Sequence, residues 1–195
     1  MALIAKTITK GFRTCYFRNQ PVHQFYGHLQ AVLKDISPDG KMNNLFARPE
    51  ATSPGSNEIE WSTDLGGKAT NFKNLEPEEK KQTAALLSSY IDRIRKYAES
   101  KQDKTGIEKD YADYLKAVAM SPDPDQVFVI DNQPVLVHWG FFCDSEKHPG
   151  QGIYAGWDEF IAQIQHKAEP EKAEKPAPCV VENQPQNKEE QSDNQ

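Results

Sequence analysis

The sequence predicts an α+β fold, and three stretches carry that expectation. Val127 to Phe141 holds the most β-prone runs of the chain, arranged around a turn. Residues 77–120 carry two amphipathic patterns with the helical period, and residues 22–36 carry a third. Together they predict a small antiparallel sheet built from two β-hairpins, packed against a helical hairpin and an N-terminal helix.

A chain of 195 residues has room for one ordinary domain and a tail. The domain is assigned to residues 1–167. From Ala168 onward there is little to bury, and seven acidic residues against three basic ones give a net −4. Composition therefore predicts that 168–195 is a disordered, polar, acidic tail.

Taking the elements in order, residues 7–18 are rich in β-branched and aromatic types, but Gly11 interrupts them and leaves a short strand or arm. After Pro21, Val22, Phe25, Tyr26, Leu29, Val32, Leu33 and Ile36 recur at helical spacing until Ser37-Pro38-Asp39-Gly40 ends the pattern. Residues 45–48 and 58–62 read as two short strands across a Pro- and Gly-rich linker. Ile59 and Trp61 then face the core, with Glu58, Glu60 and Ser62 outward. Asp64-Leu65-Gly66-Gly67 is expected to turn the second strand into residues 69–72, giving a small hairpin with Trp61 on its buried face.

Pro77 suits the first turn of a long helix, because its missing N–H has no partner there, and Glu78 and Glu79 complement the positive helix end. That helix ends near Gln102. Thr105 to Glu108 has the spacing of a capping box for the next helix, with Ile107, Tyr111, Tyr114, Leu115 and Val118 as its buried stripe. The breaker run 121–125 leads into the hairpin, whose turn is read as Asp131 to Pro134, with the ladder starting after the proline. Its nearly continuous apolar runs imply cover on both faces. A last helix is expected to dock through Trp157, Phe160, Ile161 and Ile164. Trp61, Phe128, Val135, Trp139 and Trp157 are the expected structural anchors.

The chemistry-bearing residues are sparse. Cys15, Cys143 and Cys179 are widely spaced and odd in number, which favours free thiols in a reducing compartment. With no long apolar run, this predicts a cytoplasmic protein without a membrane span. His138 beside Trp139 reads as a core histidine. Cys143 and His148 make a weak metal pair, and His23 and His28, five apart, fall on different helix faces. Glu58 with Glu60 lies on a solvent side and Asp123 with Asp125 in a turn. Gly66-Gly67 lacks the lysine and the strand-to-helix setting of a phosphate loop. No catalytic residue, metal site or cofactor is assigned.

Charge is unevenly spread. Residues 1–34 carry five cations and no anion, which leaves −11 for the rest of a chain whose net charge is −6. Lys6, Lys10, Arg13 and Arg18, interleaved with Phe12, Tyr16 and Phe17, form the candidate interaction surface, since cations among aromatics hold phosphates and stack bases. The competing reading is a solvated face that complements the protein's own acidic part. The acidic whole weighs against nucleic acid.

Two pieces carry a resemblance: Leu45-Phe46-Ala47-Arg48-Pro49 with Ile59-Glu60-Trp61, and the run Gln133 to Phe141. They resemble the N-terminal region of bacterial SrfA-type virulence-factor proteins over residues 40–142, with Ser62 where that pattern has tyrosine. The resemblance implies a bacterial protein acting in an assembly, and it transfers no catalytic residue. The sequence is thus read as a non-enzymatic interaction or assembly domain whose partners are other proteins, with its oligomeric state open. The alternatives are an effector- or toxin-type hydrolase using His138, Cys143 and His148, and binding of nucleic acid or another anionic surface through the basic N-terminus.

Overall fold

The computed structural model describes residues 1–53, 55–118 and 124–143, together with residues 162 and 166. Among the described residues, strands and α-helices run in the order β1 (Ala2–Ile8), β2 (Phe12–Thr14), β3 (Tyr16–Phe17), β4 (Gln20–Pro21), α1 (Tyr26–Ile36), β5 (Arg48–Ala51), β6 (Glu58–Thr63), β7 (Thr70–Asn71), α2 (Pro77–Lys101), α3 (Ile107–Val118), β8 (Val127–Ile130), β9 (Gln133–Leu136) and β10 (Phe141–Cys143). The α+β class holds. The described strands form small antiparallel sheets: β1-β6-β5, β7-β8-β9, and the pairs β10-β2 and β3-β4.

The hairpin at 127–136 is built as its apolar runs demand, with Val127, Val135 and Leu136 fully buried. Its turn is shorter than expected. Asp131 and Asn132, at φ 48° and 62°, make a two-residue connection, and the ladder already includes Gln133 opposite Ile130 and Pro134 opposite Val129. Pro134 is tolerated because β9 is an edge strand, where a missing N–H can face away from the ladder. Phe128, expected as an anchor, is only half-buried, while Trp61, Val135 and Trp139 are fully buried.

The second expected hairpin is replaced by non-local pairing. β6 lies between β1 and β5, with Ala5 and Pro49 on either side of Trp61. Residues 70–71 instead pair with β8, Thr70 opposite Val129. The loop between them is steered there by Gly67, at φ +108°, where a Cβ would lie 2.9 Å from Asp131 Oδ1. The expected strand 45–48 also shifts: it starts at Arg48 and includes Pro49, again at a sheet edge. Residues 45–47 tie the two larger sheets together, for Leu136 N–H donates to Leu45 C=O at 2.7 Å and Ala47 N–H to Leu136 C=O at 2.9 Å.

α2 begins at Pro77 with a reciprocal capping box between Glu76 and Glu79. α3 begins differently from expectation. Gly106, at φ +67°, precedes it, Glu108 pairs with Lys101 of α2, and Ile107 is 62% exposed. Its buried face is Ala112, Tyr114, Leu115 and Val118. Helix α1 is entered through a 3-10 turn, Val22–Phe25, whose carbonyls at Val22 and Phe25 share the Tyr114 hydroxyl at 3.2 and 3.3 Å. Its far end is closed by Arg93, which donates to Ile36 C=O at 2.9 Å. Residues from all three helices and both larger sheets enter one apolar core. The side chains expected to dock the last helix, Trp157, Phe160, Ile161 and Ile164, and the tail at 168–195 lie outside the described residues.

Candidate functional site

The two edges of the β1-β6-β5 sheet differ. β5 is four residues long and carries Pro49, features that discourage further pairing. β1 is seven residues long and contains no proline. Thr9 N–H donates to Asn57 C=O at 2.7 Å, which sets the strand alternation: the N–H and C=O groups of Ile8 and Lys6 point away from β6. An irregularity between Leu3 and Ala5 brings Leu3 onto the same side, opposite Ser62. Among the described residues no backbone hydrogen bond reaches this outward row.

The side chains beside that row are unusually apolar for an edge. Leu3 is 54% and Ile8 65% exposed, and Lys6 lies between them. The inward residues are spoken for: Thr7 Oγ1 accepts a hydrogen bond from the Trp61 indole N–H at 2.7 Å. Met1 does not cover the edge, because its sulfur lies 3.2 Å from Arg48 Nη1, out over β5.

Lys6 lies 2.5 Å from Glu60 and 4.0 Å from Glu58, and its ammonium is held above the usual lysine range by the Glu60 hydrogen bond and charge. Register places Glu60 opposite Lys6 and Glu50 opposite Glu60, so the central row of the sheet reads Glu50, Glu60, Lys6 and carries one excess negative charge. The row on one side reads Arg48, Ser62, Leu3; on the other, Glu58 stands opposite Ile8.

The four N-terminal cations are dispersed over different segments. Lys6 is on β1, Lys10 in the following turn, Arg13 on β2 and Arg18 in the β3–β4 turn. Lys6 pairs with Glu60, and Arg18 pairs with Asp110 of α3 while lying 5.4 Å above the Phe17 ring. Lys6 and Arg18 therefore each stand beside one of the protein's own carboxylates.

His138 is 6% exposed, at φ 56°, in a turn between β9 and β10. Its ring stacks on Phe141 at 5.1 Å and meets Phe12 in a T-shaped contact at 4.4 Å. His23 stacks on the same Phe141 at 4.9 Å. His28 lies in a separate group, with Tyr111 at 4.8 Å and Tyr114 at 5.0 Å. The two histidines thus occupy different surroundings, as their spacing implied. Cys143 ends β10, and His148 lies outside the described residues. The buried Cys15 thiol is pushed up to about 12 by desolvation, which leaves it protonated and unreactive at neutral pH.

Among the described residues no group of three or more His, Cys, Asp or Glu side chains is placed to hold a metal ion, and no helix is long and apolar enough to cross a membrane. No family model matches the chain, and neither a curated protein nor a solved structure is significantly similar to it.

The sequence reading missed the candidate edge because it started the first strand at Thr7. The signal was present in Leu3, Ile4, Thr7 and Ile8, a β-prone run that ends before Gly11. Exposure of Leu3 and Ile8 has no local signature, since it depends on which strand lies beside them.

Proposed function

We propose that this protein is a non-enzymatic assembly domain that docks other polypeptides along the open edge of β1. The observation that carries the reading is the outward backbone row of Leu3, Lys6 and Ile8 with two exposed apolar side chains on the same strand. An added strand supplies main-chain hydrogen bonds for affinity, and alternate side chains supply specificity. The resemblance to SrfA-type proteins supports the same reading, as a component of a bacterial multi-protein system. The ion pairs of Lys6 and Arg18 make a phosphate-binding N-terminus the weaker alternative.

The test is capture from an extract of the protein's native cells by the wild type and by Ile8→Pro, which removes one outward N–H and leaves the β1–β6 ladder intact. Partners retained by the wild type and lost by the variant support the reading. Partners indifferent to the substitution, or turnover on a panel of hydrolase substrates, overturn it.

A further inference from the structure

We infer that the strand docked on β1 is β1 of a second copy, paired antiparallel about a two-fold axis through Lys6 to give one continuous six-stranded sheet. The inference rests on β1 being a docking edge and names the chain that occupies it when no other partner is bound; a strand of another protein takes the same edge by displacing the second copy.

Three observations lead to it. An antiparallel edge is complementary to itself, because the same outward N–H and C=O groups serve both copies. The irregularity at Leu3–Ala5 lets the outward residues fall in the order Leu3, Lys6, Ile8, so a two-fold axis at Lys6 places Leu3 of each copy opposite Ile8 of the other. The most exposed apolar side chains of the strand, at 54% and 65%, then cover each other twice. β5 offers no such match, since Pro49 occupies the middle of that edge.

Charge fits the same register. The axis brings the two Lys6 side chains together, which by itself repels. Each lysine, however, ends a row with Glu60 and Glu50 beyond it. Across the dimer the row reads Glu50, Glu60, Lys6, then Lys6, Glu60, Glu50 of the second copy. Each cation enters a row that has an excess carboxylate, so like charges stand between opposite ones. The Lys6–Glu60 contact at 2.5 Å holds each ammonium toward its own carboxylate and away from the axis.

The experiment is sedimentation equilibrium of the full chain up to about 1 mM, the weak end of the affinity range for specific association. Concentration-dependent dimerisation is expected, at least tenfold weaker in Lys6→Glu, which fills the central row with anions, and in Ile8→Pro, each checked for an unchanged circular dichroism spectrum. Register is read by cross-linking in a Cys143→Ser, Cys179→Ser background. Leu3→Cys and Ile8→Cys chains form a disulfide dimer when mixed, and neither does alone; the two positions are roughly 16 Å apart within one chain, too far for an internal bridge. A monomer at every concentration, or equal cross-linking by each variant alone, overturns the self-pairing. A monomer does so without touching the assembly reading, whose own test is the capture of other proteins.

Discussion

The indole N–H of Trp139 donates to the carbonyl of Ala47 at 2.8 Å, and both residues are buried. This bond joins the turn after β9 to the segment that enters β5, and so links the two larger sheets. Trp139 also packs against Phe46 at 5.8 Å, Trp61 at 6.0 Å and Tyr26 at 6.3 Å. Trp139→Phe keeps most of this packing but leaves a buried carbonyl unsatisfied, at a cost of about 1–3 kcal/mol. Trp139→Ala adds a cavity and costs about 3–5 kcal/mol. Urea unfolding of the two variants checks the order, and a Phe variant as unstable as the Ala variant contradicts the role of the hydrogen bond.

Gly140 is required by both its backbone and its neighbour. It has φ +80°, and a Cβ there would lie 2.6 Å from Val22 Cγ2. Gly140→Ala combines a left-handed penalty with overpacking, for an expected loss of about 2–4 kcal/mol. Val22→Ala in the same chain relieves the clash but not the backbone strain. The double mutant is therefore expected to lose less than the sum of the single losses, and strict additivity in thermal or urea melts would reject the contact.

Arg18 holds φ 50° in the two-residue turn between β3 and β4, followed by Asn19 at φ 62°. A non-glycine residue in that region costs about 1 kcal/mol. The Arg18–Asp110 pair is exposed, and such pairs return about 0.5 kcal/mol. Arg18→Gly is thus expected to raise stability slightly, and more clearly in an Asp110→Ala background where there is no pair to lose. Urea midpoints decide; a fall of 1 kcal/mol or more would show that the ion pair outweighs the strain.

Acid stability should turn on two histidines. Burial lowers the pKa of His23, and burial lowers that of His28 as well, opposed there by the Asp110 charge and helped by Arg18. Both rings resist protonation in the folded state, whereas the unfolded chain takes up protons near the ordinary value of 6.5. Their contribution is complete above that value and is lost as pH falls through it toward the lowered folded values. The urea midpoint should fall between pH 7.5 and pH 5, less steeply in His23→Gln with His28→Gln. An unchanged slope in the double variant would place the acid sensitivity elsewhere.

Much of the fold was legible because it follows from short-range chemistry. Pro77 with Glu79 marks a helix start wherever it occurs, and the apolar runs on either side of Asp131-Asn132 leave little choice but a hairpin. The strands at 58–63 and 69–72 were harder. Their alternation said which face was apolar but not which neighbour would pair, and β1, more than fifty residues upstream, became the neighbour of β6. Pairing over that separation depends on the whole chain's geometry, which no local window holds. The N-terminal cations were visible as a composition bias, but only the placement of Glu60 and Asp110 beside Lys6 and Arg18 turned two of them into internal ion pairs.

By itself the sequence determined the α+β class, the bounds of α2 and the apolar hairpin, because hydrophobic period, caps and turn residues act within a few positions. Tertiary structure decided that, among the described residues, Leu3, Lys6 and Ile8 line the outer edge of a sheet. The physical reason is that exposure and edge position belong to a pair of strands, and become defined only when the partner strand has taken its place.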